Sequence, residues 1–204
     1  ALAGVGVAVG VSGGVTVFSL DSHTTAAIES NATVTADGNV VVAAEDITRT
    51  GMVVGSLAVG ATGAGVGGSV GLSLISKDTE ASIADNASVT ALGQGGTLTA
   101  YSGADFSSTQ LAQGILVSAN SNESVFTLSI AGAGGLFAGV AGAVSIQLLD
   151  ITTTASIGDA TINGDNTGAK AGQDVVVVAR DSTSVAAIDG GLALGAGAVD
   201  RKSP

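Results

Sequence analysis

One phrase is written three times in this chain, so the fold must offer it three equivalent places. Residues 24–38 read TTAAIESNATVTADG, residues 79–93 read TEASIADNASVTALG, and residues 153–164 read TTASIGDATING. Internal repetition of this kind is the mark of stacked or arrayed architectures. Taking the isoleucine of each copy as anchor gives Ile28, Ile83 and Ile157. Eight residues before each stand Leu20, Ile75 and Leu149, and thirteen before stand Val15, Val70 and Val144. Upstream of these lie glycine-rich runs, VGVAVGVSGG, VGATGAGVGGS and GGLFAGVAGA, and a fourth begins at GGLALGAGAV, residues 190–199. Downstream, each copy is followed by a strand-like phrase: NVVVAAED, GTLTAYSGAD and DVVVVARD.

The anchors are 55 and then 74 residues apart. A coil of three short strands and their turns takes roughly 20 residues. The spacings therefore predict three coils in one repeat and four in the next. On this reading the extra 19 residues, near LAQGILVSANSNESVF, add one whole rung, a change that a stack tolerates.

Strands are expected rather than helices. Val5, Val7, Val9 and Val11 alternate with Gly4, Gly6, Ala8 and Gly10, and Val70, Leu72 and Leu74 repeat the pattern. The turn phrases DGN, NGDN and DGG punctuate the runs, and a single proline leaves ladders uninterrupted. Residues 51–76 and 124–149 are uncharged and long enough to raise the question of membrane helices. Both alternate with period two and lack interfacial Trp/Tyr, which argues against that reading. A membrane β-barrel is disfavoured because aromatic girdles are missing. Which face of each strand points inward is not decided by the alternation.

Composition narrows the function classes. Hydrophobic residues make up 46% and charged residues 11%, so the chain folds, with a core of small side chains; 32 glycines reinforce this. A net charge of −11 disfavours nucleic acid and anionic membrane surfaces, and the basic residues Arg49, Lys77, Lys170, Arg180, Arg201 and Lys202 are scattered. The absence of cysteine excludes disulfides and thiolate chemistry. The opening on ALAGVGVAVG and the end on AVDRKSP predict an interior piece of a longer chain.

The pattern T-x-A-x-I-(G/A)-D-x-A-x-V-T-A followed by V-x-V-x-A, behind a glycine–alanine–valine run, resembles the repeats of leukotoxin-type filamentous adhesins. These are large exported proteins of Gram-negative bacteria. The likeness covers about 190 of the 204 residues. It implies a right-handed parallel β-helix stalk, export, and a role in adhesion or matrix building. The third copy departs from the pattern, because NGDNTGAKAGQ lengthens its turn. The likeness rests on the repeats alone, so receptor binding is not carried over from it.

Catalytic and metal chemistry find little support. His23 is the sole histidine, placed beside a predicted turn, and reads as a solvated loop residue. No G-x-S-x-G elbow supports a Ser–His–Asp assembly, and His/Cys metal spacings are excluded. Asp85 and Asp159 stand two residues after their anchors, where the first copy has Ser30. Stacked, they could hold calcium, but the G-G-x-G-x-D nonapeptide is absent and turn capping explains them more simply. A glycan-active β-helix enzyme would need clustered carboxylates and basic residues in one cleft. Asn31, Asn86 and Asn122 begin N-x-(S/T) sequences that permit surface glycosylation. The threonines of ITTTAS lack the recurrent ladder of ice-binding solenoids.

The fold expected is therefore all-β, a parallel β-helix of imperfect repeats of about three to four coils each. Residues 1–199 form one solenoid segment and residues 200–204 a polar tail. No catalytic, cofactor or metal residue is assigned. The function expected is structural: a stiff stalk or fibre of a secreted or surface filamentous adhesin or biofilm matrix. The alternative is a filament subunit that polymerises end to end or laterally, with a glycan-active enzyme as the weaker one. Expected partners are other copies of the chain, or a host receptor or glycan reached through other regions, with no nucleic acid and no membrane span.

Overall fold

The computed structural model describes residues 2–102 and 106–195. Residues 196–199 of the fourth glycine-rich run, the polar tail, and 103–105 of GTLTAYSGAD lie outside the described residues. Each repeat supplies one very long strand out and one back. The outgoing strands are β2 (Val9–Ile28), β5 (Ala64–Ile83) and β10 (Ala138–Ile157). The returning strands are β4 (Val40–Gly60), β9 (Gly114–Gly135) and β12 (Asp174–Gly195). Between them lie the short strands β3 (Thr33–Ala36), β6 (Ser88–Ala91) and β11 (Thr161–Ile162). The remaining elements are β1 (Leu2–Gly6) and a hairpin of β7 (Leu98–Ser102) and β8 (Ser108–Ala112).

Successive repeats pair strand on strand, in parallel. The outgoing sheet has the order β10-β5-β2, the returning sheet β1-β4-β9-β12, and the short strands β11-β6-β3. Ile28 and Ile157 both sit in register with Ile83, Leu20 and Leu149 with Ile75, and Val15 and Val144 with Val70. The anchor alignment is thus the register of the sheet. The outgoing and returning sheets pack face to face: β2 lies on β4, β5 on β4 and β9, β10 on β9 and β12. The all-β expectation holds, with long parallel strands as its dominant feature.

Three details differ from the sequence reading. A repeat is not subdivided into three coils: β2 pairs directly with β5, 55 residues on, so each repeat is a single wide layer. The longer second repeat has not gained a rung either. Its added residues, before Gly114, form the antiparallel hairpin β7–β8. In consequence GTLTAYSGAD is not the partner of NVVVAAED. That place is taken by residues 115–121, since Val40 pairs with Ile115 and Val175 pairs with Ile115 from the other side. Lastly, Val5 to Val11 is not one strand. The chain turns at Val7–Ala8, so β1 belongs to the returning sheet and β2 to the outgoing one. The glycine-rich runs are the turn ends of the layers, with equivalent turns at 61–63 and 136–137.

The interior changes character along the strands. Near the T-x-A-x-I end it is an aliphatic core built from Val40, Val42, Ile83, Val89, Ile115 and Val117, with alanines between them. Towards the glycine-rich turns the sheets close in until side chains no longer fit. A Cβ on Gly10 would lie 2.1 Å from the carbonyl oxygen of Val59, and one on Gly65 2.3 Å from that of Gly134. Side-chain-bearing sheets stack about 10 Å apart, so glycine is what permits this approach. The layers are wedges, wide at the isoleucine end and narrow at the glycine end.

Candidate functional site

Inside the wide half, next to the aliphatic core, runs a layer of charge. Lys77 of β5 faces inward because it shares strand parity with the anchor Ile83. Its ammonium lies 2.7 Å from Asp46 Oδ1 and 2.5 Å from Glu123 Oε1, and the side chains of Lys77 and Glu123 have no exposed surface. Hydroxyls complete the shell. Ser22 donates to Asp46 Oδ2 at 2.8 Å, Thr24 to the same oxygen at 3.2 Å, and Thr48 to Oδ1 at 3.2 Å. Ser121 donates to Glu123, and the Thr183 hydroxyl lies 3.1 Å from Glu123 Oε2 and 3.0 Å from Asp181 Oδ1. The cluster draws on all three repeats and both sheets.

Its electrostatics follow from one cation among three carboxylates. Burial opposes ionisation of Asp46, but hydrogen bonds from Lys77, Ser22 and Thr48 and the charge of Lys77 outweigh it and hold the carboxyl below its ordinary range. Asp181 moves the other way. Burial dominates and raises it, helped by the negative charge of Glu123, and together they outweigh the Thr183 hydrogen bond and the charge of Lys77. The arrangement holds register. A slip of two residues would keep every side chain on its face, yet it would separate Lys77 from both carboxylates. The outward composition of the strands imposes no such penalty.

The outer faces carry the other candidate chemistry. His23 is not beside a turn but within β2, on its exposed outer face. Its Nδ1 lies 3.2 Å from Asp78 Oδ2, and its Nε2 2.8 Å from the Thr25 hydroxyl. The order hydroxyl–imidazole–carboxylate is that of a nucleophilic triad. The His23 and Asp78 side chains are 62% and 48% exposed, so water competes for each contact, and the row lies on an open sheet face. A shallow groove of about 360 Å³ adjoins it, where Leu74 and Leu148 give way to Ser76, Asp21 and Asp150.

At the base turns, Asn31 and Asn86 adopt left-handed backbone with φ of 65° and 61°. Asp85 Oδ1 accepts the backbone N–H of Asp159 at 2.8 Å, so the aspartate caps the turn of the next layer. Among the described residues no group of three His, Asp or Glu is placed to hold a metal ion. Asn122 lies on the outward register of β9, half-buried. The hairpin covers part of the returning sheet's outer face. Outward Leu116, Ser118 and Asn120 are buried beneath it, and Arg180 lies 5.6 Å from both the Tyr101 and the Phe106 ring centroids.

Sequence reasoning missed the charge layer by treating Lys77 as one of six scattered basic residues. The available signal was parity: Lys77 is six residues from Ile83, and Asp46 and Glu123 alternate in step with Val42 and Val117. Among the described residues no helix is long and apolar enough to cross a membrane. Comparison with family models, with curated proteins and with solved structures gives no match.

Proposed function

We propose that this chain is a segment of a parallel β-solenoid, one wide layer per repeat, whose role is mechanical: a stiff rod in an exported or surface-attached filamentous adhesin. The observation that carries the reading is the unbroken register of β2, β5 and β10 over twenty residues each. Such a ladder adds the same aliphatic contacts with every layer, so its stability and stiffness accumulate with length. The charge layer supports the same role, because it ties three repeats to one register. The leukotoxin-type resemblance supplies the adhesin setting, and the placement at the cell surface rests on it.

A second reading, end-to-end polymerisation, is favoured by one feature. The last strand, β12, leaves its inward-register residues Val175, Val177 and Val185 43%, 45% and 47% exposed. A further layer, from the same chain or another copy, would cover them, as open sheet edges invite. The catalytic reading rests on the exposed His23 row alone. Electron microscopy of the purified protein over a concentration series, with sizing alongside, tests the proposal. Short rods of constant mass support the spacer, and fibres that lengthen with concentration make assembly the function. Compact globules would sink both, and turnover of acidic polysaccharides lost in His23→Ala would move the chain to the enzymes.

A further inference from the structure

The narrow half of the wedge is inverted with respect to an ordinary sheet sandwich. Its inward residues are mostly glycine, alanine and serine, with Val54 and Thr127 nearer the wide half, and its outward residues are largely aliphatic. On β2 the outward row reads Val9, Val11, Gly13, Val15, Val17, and the four valines are 56%, 68%, 73% and 59% exposed. On β10 it includes Val140, Val144, Ile146 and Leu148, all exposed. The returning sheet matches it, with Val53, Leu57 and Val59 on β4 and Leu192 and Leu194 on β12. Leu136 and Phe137 stand exposed at one of the turns between the sheets. Beyond a border the outward rows of the outgoing sheet become Ser19, Asp21 and His23 on β2 and Ser76, Asp78 and Glu80 on β5, while on β4 exposed Ile47 stands between Glu45 and Arg49.

From these faces we infer that the narrow edge of the stack inserts into the hydrocarbon layer of a lipid bilayer, the wide half remaining in water. Height is the first argument. The outward apolar row of β5, Ala64 to Leu74, rises about 33 Å, and that of β9, Phe126 to Gly134, about 26 Å. The hydrocarbon core of a bilayer is about 30 Å thick. Coverage is the second. A second copy laid on one outer face leaves the opposite face and the turns bare, whereas lipid covers all three.

The third argument is backbone satisfaction, which hydrocarbon demands. β5 and β9 are paired on both sides, and the open edges, on β2, β10 and β12, are the ones a neighbouring layer of a longer stack would pair. The turns are paired too, layer to layer: Ala61 N–H donates to Gly6 O at 2.9 Å, Thr62 N–H to Val7 O at 2.7 Å, and Phe137 N–H to Gly63 O at 3.0 Å. The Thr62 hydroxyl also donates to Val7 O. Charge is the fourth. Among the described residues of the narrow half the one ionisable group is Asp189, on the inward register of the last strand, where Ser145 donates to it at 2.8 Å. One tyrosine and no tryptophan leave no aromatic girdle, so entry depends on aliphatic area.

The inference rests on the outer faces and not on the adhesin reading; rods that ignore lipid would still be rods under the microscope. Because the chain has no cysteine, single cysteines can report position without ambiguity. Val70→Cys and Glu80→Cys place an environment-sensitive fluorophore on the same face of β5, on either side of the border. With zwitterionic phosphatidylcholine vesicles, the label at position 70 should shift to the blue and become shielded from an aqueous quencher. The label at position 80 should not change, and vesicle flotation should withstand added salt. The joint variant Val15→Lys, Val70→Lys, Val144→Lys alters one outward register row and should reduce flotation about ten-fold or more while keeping its strand spectrum. A position-70 label that stays wet with vesicles overturns the inference. So does one shielded equally without them, which would identify a second copy as the cover. Flotation of a folded lysine variant at the parent level would do the same. If that variant fails to fold, the contrast between positions 70 and 80 decides alone.

Discussion

The two halves of each layer use the same strands and opposite rules. In the wide half Ile83, Ile115 and Val117 are buried and serine, aspartate and glutamate face out; in the narrow half glycine is buried and valine faces out. Alternation continues across the border without a break in parity. What changes is which parity carries the large residues. A sheet face is therefore not apolar or polar as a whole, and one pair of strands can build a conventional core and an inverted one in series. The charge layer of Lys77, Asp46 and Glu123 lies on the wide side of this border, where the interior is still broad enough for long side chains.

The comparison predicts different penalties in the two halves. Lys77→Met should have the largest effect, because it leaves Asp46 and Glu123 facing a buried space with no cation; a loss of about 3–5 kcal/mol is expected from denaturant unfolding. A loss below about 1 kcal/mol would mean that the cluster is hydrated and does not hold register. Next comes Ile83→Ala, a cavity in the wide core, with a loss of about 2–5 kcal/mol, read as a lowered thermal midpoint. In the narrow half the damaging change is addition, not deletion. Gly65→Ala drives a methyl to within 2.3 Å of the Gly134 carbonyl and should cost about 1–3 kcal/mol or more. Gly142→Ala, outward with nothing within 4 Å, should be neutral or stabilising by about 0.5 kcal/mol. Equal effects at positions 65 and 142 would refute the close approach of the sheets.

The smallest effects are those of pH, and they too divide the charge layer. Asp46 has a folded value below its unfolded one, so its contribution is present above the ordinary aspartate range and disappears as pH falls through the lowered value. Asp181 has the opposite sign: its charged form is disfavoured in the fold, a penalty felt at neutral pH and relieved in acid. Asp181→Asn should therefore raise stability slightly at neutral pH, and the gain should vanish as pH falls through the raised folded value towards about 3.9. Asp46→Asn should lower stability at neutral pH, the difference shrinking in acid. Unfolding midpoints across pH for the two variants should diverge at neutrality and converge below it.

Several features were legible from residues alone. The spacing of Ile28, Ile83 and Ile157, with Val15, Val70 and Val144 upstream, is the register of the outgoing sheet. The lengthened turn at NGDNTGAKAGQ is also found, as eleven residues without strand between β11 and β12. The hairpin was not legible. GTLTAYSGAD and GILVSANS both satisfy a strand pattern, and local alternation does not distinguish a strand that joins a parallel ladder from one that folds back on its neighbour. The turn at Val7–Ala8 was hidden for a related reason. Valine alternation runs straight through it, and only the glycine Cβ positions reveal that Gly6 faces the carbonyl of Val9 across a tight end.

By itself, then, the sequence determined that this chain is built from strands and that its copies stack in register. Both follow from periodicity and from spacings that repeat side chain for side chain. Tertiary structure decided which parity is inside, how wide a layer is, and which distant charges meet. Those depend on the separation between two facing sheets, and that separation is set jointly by residues some thirty to seventy positions apart: Gly65 against Gly134, Lys77 against Asp46 and Glu123. At Gly10 and Gly65 the facing backbones come so close that even a methyl group does not fit, and the valines beside these glycines point out.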